Sequence, residues 1–434
     1  MKIIVIGGGP AGRTAAIEAA QIGEEVILIE KDKLGGKCLN EGCMVVSGLN
    51  DVAKFSKDSQ RFREMGITEQ VVEVDFEKIA KGIKETIRKI RTIHEAETKE
   101  AGVEVLKGAA EVNVRNVIFE DEELSYDKLI IATGSNANIP PLDGSQYGKS
   151  YHDILNFKNK PEKLIIIGSG VIAAEFASIF SMLGSEVHVL CRSQFLKMLE
   201  PDMKSYVVKK LLDNVDIQEN VQVKQIDKNG VNTDKGRVDG VVLFATGMKP
   251  NSDIVKDFVD LGRRGDIIVN RQMQTSHQDI YAAGDVVDTI GNTPVARMEG
   301  VVAARNACGI FAEADYRVVP GSISLYYDVA FINQNLDKSE DNTSIGGSVP
   351  GFAGPGSFWN VLDRNTGFTK IKVDSESGAI RDISSISPSA RTSIPYLVQM
   401  MRDDYKSYDF DGFIETHPST DPIYKLLRLF AKFG

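Results

Sequence analysis

The chain has 434 residues, of which 42% are hydrophobic and 26% are charged, and its formal net charge is −10. This length allows about two to four domains, and the composition is that of a globular protein rather than a fibre or a disordered chain. The acidic balance disfavours nucleic acid and anionic membranes as partners. No run of about 18 apolar residues predicts a membrane span. The first residues predict a strand without the apolar core of a signal peptide, so we expect a cytoplasmic protein.

The N-terminal segment has the pattern of a nucleotide-binding turn. A β-branched strand at residues 3–6 leads into Gly7, Gly9 and Gly12, and a helix and a second strand follow. The first glycine permits a tight turn, the second lets the backbone approach a pyrophosphate, and the third lets the helix pack on the strand. The second strand ends at Glu30, 23 residues after Gly7. A carboxylate there hydrogen-bonds a ribose 2′-hydroxyl and repels a 2′-phosphate, which suits FAD.

Two of the four cysteines lie close together, at Cys38 and Cys43, whereas Cys191 and Cys308 are isolated. Four cysteines are too few for a disulfide-stapled secreted scaffold. A structural zinc site needs about four clustered ligands, and none of the five histidines is near Cys38 in sequence, so no metal site is predicted. We interpret Cys38 and Cys43 as a redox or catalytic pair; the alternative is an incidental pair of buried thiols.

The nucleotide-binding pattern occurs a second time. A strand at residues 164–167 leads into Gly168, Gly170 and Ala173, and a helix and another strand follow. One such pattern is weak, but two copies, each between a β-branched strand and a helix, strongly predict two nucleotide sites. Flavin and nicotinamide are the natural pair of occupants, since hydride transfer between them is common cofactor chemistry.

The second copy differs at the end of its second strand, where Cys191 stands 23 residues after Gly168 and no acid is present. Arg192 comes next and Lys197 five residues later. Cations here could pair with a 2′-phosphate, so we favour NADPH over NADH, although Arg192 is also compatible with a solvated surface position.

Five further segments resemble one known family. Residues 35–43 (GGKCLNEGC) are similar to its redox motif, 132–134 and 245–251 to its two ATG strands, 280–285 to its flavin-binding AGD motif, and 417–420 (HPST) to its histidine segment. The chain therefore resembles the class I pyridine nucleotide–disulfide oxidoreductases, which include dihydrolipoamide dehydrogenase, glutathione reductase and mercuric reductase. The resemblance runs nearly end to end.

The resemblance implies an α/β fold with two Rossmann-like FAD- and NAD(P)-binding domains plus an α+β C-terminal dimerisation domain. The FAD domain is expected at 1–145 and 270–315, the NAD(P) domain at 146–269 and the interface domain at 316–434. It also implies a homodimer. Independently of the family, isoleucines at helical spacing predict a long helix over 76–97 that faces the core.

The family also implies roles for individual residues. Cys43 is expected against the flavin and Cys38 at the substrate, and the position of both at a helix start favours thiolate chemistry. His417, after a predicted helix at 396–402, is expected to serve as acid–base at the partner subunit's cysteines; the alternative is a loop cap before Pro418. Further predicted cofactor contacts are Lys31, Gly36, Lys37, Ala132, Thr133, Gly134, Gly247, Gly284 and Asp285.

Two positions depart from the family pattern. Ser47 stands where the family has a lysine near the flavin, so the family's partner for Glu175 is replaced by an uncharged residue. Glu175 matches a family glutamate beside the flavin, but it could also be a solvent-facing helix residue. The family glutamate that orients the histidine would fall at Pro422, and Asp421 is our candidate replacement.

The leading hypothesis is a dihydrolipoamide dehydrogenase-like enzyme that uses FAD and NADPH or NADH on a small-molecule or lipoyl dithiol. An NADPH-dependent reductase of a small disulfide is the nearest rival. Mercuric reduction is disfavoured because no terminal cysteine pair is present. A flavoprotein that reduces quinone, metal or oxygen with idle cysteines, and a non-catalytic sensor of nicotinamide, are the remaining alternatives.

Overall fold

The computed structural model describes residues 1–334, 344–420 and 422–431. Its helices are α1 Pro10–Ile22, α2 Gly36–Asn40, α3 Cys43–Glu64, α4 Phe76–Glu100, α5 Val171–Met182, α6 Pro201–Tyr206, α7 Thr293–Ala307, α8 Ala390–Arg402 and α9 Ile423–Ala431. Its strands are β1 Lys2–Ile6, β2 Glu25–Glu30, β3 Glu104–Lys107, β4 Ala110–Val112, β5 Asn116–Phe119, β6 Glu122–Ser125, β7 Lys128–Ile131, β8 Ser135–Ala137, β9 Lys163–Ile167, β10 Glu186–Cys191, β11 Asp216–Glu219, β12 Val223–Asp227, β13 Gly230–Thr233, β14 Gly236–Asp239, β15 Val241–Phe244, β16 Met248–Pro250, β17 Ile280–Ala282, β18 Val318–Ser324, β19 Asp328–Gln334, β20 Ser344–Pro350, β21 Phe368–Asp374 and β22 Ile380–Ser387.

The first nucleotide-binding pattern lies at the centre of a five-stranded parallel sheet with the order β17-β7-β1-β2-β3. Strand β17 joins this sheet from far along the chain. The sheet is covered on both faces, by α1 and α7 on one side and by Val112 and Val117 of β4 and β5, with Val255 and Val259, on the other. Ile3, Ile4 and Val5 are consequently fully buried, and the strand is apolar without alternation, as expected for a parallel sheet.

The second pattern lies in a four-stranded parallel sheet with the order β11-β10-β9-β15. Helix α5 packs on one face, and the antiparallel strands β12, β13 and β14 cover the other. The remaining large sheet is antiparallel, in the order β18-β19-β22-β21-β20, and carries α8 and α9 on one face. Two parallel α/β sheets and an α+β portion confirm the predicted fold class.

Helix α4 begins where the sequence predicted, because the Asp75 carboxylate caps the Lys78 N–H at 3.1 Å. Ile83 and Ile87 are buried as expected, and the helix continues three residues beyond the predicted end, to Glu100. Among the described residues, no helix combines the length and the apolar character that a bilayer span requires.

Candidate active site

The two parallel sheets and the antiparallel sheet meet around one cavity of about 2260 Å³. Ligand pockets usually measure about 300–1,000 Å³, so this cavity has room for more than one nucleotide. The predicted residues that line it are Gly7, Gly9, Glu30, Lys31, Gly36, Lys37, Cys38, Cys43, Ala132, Thr133, Gly134, Gly168, Gly170, Glu175, Arg192, Lys197, Gly247, Gly284 and Asp285.

Gly12 and Ala173, which we counted with the cofactor-binding residues as the third positions of the two patterns, do not line the cavity. A Cβ atom at Gly12 would lie 1.9 Å from the Gly7 carbonyl oxygen, and Ala173 is fully buried. Both positions therefore serve helix–strand packing, which is the physical reason that the third position of the pattern is small.

The first turn brings the backbone to the cavity wall. Gly7 has a φ of +105°, and a Cβ there would lie 2.3 Å from the Ala132 carbonyl oxygen, so only glycine fits. Glu30 is held at the end of β2, where its carboxylate accepts hydrogen bonds from the N–H groups of Gly8 (2.6 Å) and Asp32 (2.7 Å). The carboxylate is thus fixed beside the turn, as a ribose-binding acid requires.

Tyr151 provides a test of whether this cavity suits FAD. Its side chain is 7% exposed and lines the cavity, yet its hydroxyl has no hydrogen-bond partner among the described residues. Burial raises the pKa of Tyr151 well above its ordinary value. A buried hydroxyl without a partner costs free energy, so its presence fits a polar ligand in the cavity. Nothing in the sequence pattern singled out Tyr151.

The two cysteines predicted as the redox pair lie on consecutive helices, Cys38 in α2 and Cys43 at the first residue of α3. Thr293, at the start of α7, donates a hydrogen bond to Cys38 Sγ at 3.0 Å and lies 3.9 Å from Cys43 Sγ. Sequence reasoning missed Thr293, because 255 residues separate it from Cys38.

The environment shifts the pKa values of the two thiols in opposite directions. A hydrogen bond from Cys43 lowers the pKa of Cys38 to about 6, against the opposing effect of burial and with help from Thr293 and Arg297. The same hydrogen bond and burial raise the pKa of Cys43. In the reduced pair Cys38 is therefore the thiolate at neutral pH, and the thiolate is the nucleophile. Among the described residues, the leading cause of the lowered Cys38 pKa is thus the hydrogen bond between the two thiols.

Glu175 lies in α5 and lines the cavity, where its carboxylate accepts a hydrogen bond from the Ser324 N–H at 2.9 Å. Burial raises the pKa of Glu175 to about 7, and the hydrogen bonds from Ser324 oppose that shift. Ser47 offers no charge in place of the family lysine. Arg391, which also lines the cavity, donates to the Ser324 hydroxyl and forms an ion pair with Asp328 at 2.8 Å.

We expect Glu175→Gln to stabilise the protein more at pH 8 than at pH 5. A glutamate has a pKa of about 4.3 when unfolded, so a folded pKa of about 7 favours the folded state below pH 4.3 and loses that advantage as pH rises through 7. The melting temperature of the variant minus that of wild type should therefore increase by roughly 1–4 °C between pH 5 and pH 8.

Ser47→Lys is the matched control for this effect. An ammonium at residue 47 should lower the pKa of Glu175 and remove most of the pH dependence, and it keeps the carboxylate. The same melting-temperature difference between Glu175→Gln and wild type at both pH values would contradict the raised pKa.

The second turn is the one beside Arg192 and Lys197. Cys191 is buried, donates its thiol to the Gly168 carbonyl oxygen at 3.3 Å, and has a pKa that burial raises to about 12. It therefore belongs to the turn and offers no acceptor charge to a ribose. Arg192 and Lys197 are exposed, line the cavity, and form no ion pair with another described residue.

His417 is exposed and does not line the cavity of its own chain. Its segment is attached to the antiparallel sheet at Thr420, which hydrogen-bonds the Ser389 hydroxyl at 2.9 Å and accepts from the Phe352 N–H at 3.2 Å. Asp421, our candidate orienting acid, lies outside the described residues.

A family model and two relatives each match most of the chain. A family model described as pyridine nucleotide-disulphide oxidoreductase matches residues 1–300. An uncharacterised protein of Methanocaldococcus jannaschii is 30% identical over 439 residues, covering 99% of this chain and 98% of that one. A dihydrolipoyl dehydrogenase of Bacillus subtilis is 30% identical over 446 residues, covering 96% of each chain.

Two solved structures share the fold. LpdA of Mycobacterium tuberculosis has a TM-score of 0.88 at 21% identity, covering 100% of this chain and 99% of that one. The flavoprotein disulfide reductase RclA of Escherichia coli has a TM-score of 0.87 at 24% identity, covering 99% of each chain. At these identities the likeness shows the fold alone.

Proposed function

Because the chain belongs to the pyridine nucleotide-disulphide oxidoreductase family, we propose that it exchanges two electrons between NAD(P)H and a disulfide through Cys38 and Cys43. The observation that supports this most directly is the hydrogen-bonded group of Cys38, Cys43 and Thr293 in the cavity that both glycine turns line. Enzymes of this family use FAD, and the turn at Gly7 with Glu30, together with Lys37, Tyr151 and Asp285, would hold it.

In the reducing direction, the Cys38 thiolate attacks one sulfur of the substrate disulfide, forms a mixed disulfide and expels the first substrate thiolate. Cys43 then attacks Cys38 Sγ, which expels the second thiolate and leaves the Cys38–Cys43 disulfide. Bound FAD supplies the two electrons, taken from NAD(P)H, that reopen this disulfide. Thr293 stabilises the Cys38 thiolate throughout by its hydrogen bond.

Each substrate thiolate must gain a proton as it leaves, and His417 of the partner subunit is the proposed donor. This assignment requires a homodimer, which agrees with the position of His417 outside the cavity of its own chain. We assign residues 1–145 and 270–315 to the FAD domain, 146–269 to the NAD(P) domain and 316–434 to the interface domain.

For the substrate we propose a lipoyl dithiol or disulfide, because relatives that match nearly the whole chain are named dihydrolipoyl dehydrogenase. A reductase of another small disulfide that uses NADPH is the second candidate, and the free cations Arg192 and Lys197 favour it. The assay is steady-state turnover of the purified protein with NADPH or NADH and lipoamide or glutathione disulfide. Nucleotide oxidation that depends on quinone or oxygen and ignores every disulfide would contradict the proposal.

Arg192→Ala combined with Lys197→Ala should raise the KM for NADPH about fivefold to tenfold and leave the KM for NADH unchanged. Both residues are exposed, and an exposed charge pair contributes about 0.2–1 kcal/mol, so two such pairs give an effect of this size. Lys209→Ala is the control, because Lys209 is exposed but does not line the cavity. Equal changes for both nucleotides would rule out a 2′-phosphate site.

A further inference from the structure

Helix α7 connects the redox pair to the protein surface. Thr293, its first residue, hydrogen-bonds Cys38 Sγ at 3.0 Å. Arg297 follows four residues later, and residues four apart lie on one face of a helix about 5–6 Å from each other. Arg297 is exposed, and its charge contributes to the lowered pKa of Cys38. A cation is therefore placed one helical turn outward from the reactive sulfur.

Three arginines of α1, α4 and α7 already have polar partners. Arg13 forms an ion pair with Glu97 at 2.5 Å, and Arg91 donates to the Asn40 side chain at 3.0 Å. Farther along α7, Arg305 pairs with Glu18 at 2.7 Å. Arg297, in contrast, forms no hydrogen bond or ion pair with any other residue that the structure describes. Its guanidinium is thus free to bind an anion.

His94, in α4, adds no positive charge to this region. Burial, together with the charges of Arg13 and Arg297, lowers the pKa of His94, so the imidazole is neutral at pH 7. The charge of Arg297 thus contributes to the lowered pKa of both His94 in α4 and Cys38 in α2. The net charge of the chain is −10, so an unpaired arginine at this site is not part of a generally basic surface.

We infer that Arg297 is a specificity-determining residue that binds an anionic group, of carboxylate type, on the disulfide that Cys38 attacks. A planar guanidinium matches the two oxygens of a carboxylate, and holding that group would place the disulfide at Cys38. The inference rests on the proposed function, because it assumes that substrate reaches Cys38 from this side. An acidic side chain of a partner subunit is the competing partner for Arg297.

The first experiment does not require turnover. Cys38 is alkylated in the reduced FAD-containing protein that carries Cys43→Ser, with iodoacetate as the anionic reagent and iodoacetamide as its neutral analogue. In both reactions the thiolate forms a sulfur–carbon bond and iodide leaves. Mass spectrometry of the Cys38 peptide gives the two rates. Their ratio cancels any change in the fraction of thiolate, so it reports the local charge at the sulfur.

Arg297→Gln should lower the iodoacetate-to-iodoacetamide ratio about threefold to tenfold at low salt, and high salt should remove the difference. Arg305→Gln, on the same helix but already paired, should leave the ratio unchanged. An unchanged ratio in Arg297→Gln overturns the inference, and that is the result expected if a partner subunit neutralises Arg297.

Lipoate and lipoamide, which differ in one carboxylate, provide the second test. Wild type should have the lower KM for lipoate, and Arg297→Gln should raise that KM about fivefold relative to lipoamide, with kcat similar for both. Equal changes for the two substrates would assign Arg297 a structural role. If wild type reduces neither compound, the proposed function fails, and the alkylation ratio still decides the role of Arg297.

Discussion

Cys38→Ser is expected to abolish disulfide reduction, lowering kcat by a factor on the order of 10⁴ or more, because the nucleophile of the first step is lost. The hydroxyl that replaces the thiol does not ionise near neutral pH and cannot form the mixed disulfide. The measurement is lipoamide turnover with NADPH or NADH. Bound FAD should remain reducible by the nucleotide, since the serine removes no contact of the glycine turns.

Cys308→Ser is the matched control for this variant. Cys308 is partly buried against the core beside α1 and α7 and does not line the cavity. The control should keep wild-type turnover. Full activity of Cys38→Ser would show that the dithiol is idle and that electrons leave the protein by another route.

His417→Gln is expected to lower disulfide turnover by about 10²–10⁴, the usual contribution of a positioned acid–base. Glutamine keeps hydrogen-bonding capacity but cannot carry the proton. The variant should leave the reduction of FAD by nucleotide unchanged, because that step precedes proton transfer to substrate. Loss of both activities together would indicate a folding defect instead of a catalytic role.

Mixing two inactive variants tests whether His417 acts across the dimer. Subunits with Cys38→Ser and subunits with His417→Gln, exchanged at equal concentrations, should regain about a quarter of wild-type activity, because half of the dimers contain one intact site. If each chain used its own His417, the mixture would stay inactive although mixed dimers form.

The local features of this protein could be predicted from its sequence. Glycine spacing and β-branched strands predicted two turns, and the structure places both at the cavity, where the predicted pair Cys38 and Cys43 also lies. The boundaries of helices were less predictable. We expected a helix over 396–402, but α8 begins at Ala390, because Pro395 is accommodated inside the helix where proline normally interrupts it.

Contacts between distant segments could not be predicted. Thr293 hydrogen-bonds Cys38, and Ser324 hydrogen-bonds Glu175, which is 149 residues away in sequence. Neither contact produces a pattern in the local sequence. The leading cause of the lowered pKa of Cys38 is likewise its hydrogen bond with Cys43, which depends on how α2 and α3 are placed. Tyr151 is identifiable only once its buried hydroxyl is seen without a partner.

The central claim, that the cysteines exchange electrons with the flavin, is tested most directly by anaerobic titration of the purified protein with NADPH and then NADH, followed by visible absorbance. The protein groups alone place the thiolate on Cys38, and bound FAD would favour the charge on Cys43 with the proton on Cys38. We therefore predict a long-wavelength charge-transfer band, typical of a thiolate beside oxidised flavin, in wild type and its absence in Cys43→Ser. The nucleotide that produces the band faster is the preferred one. Direct bleaching of the flavin without that band would contradict the account, because electrons would then bypass Cys38 and Cys43.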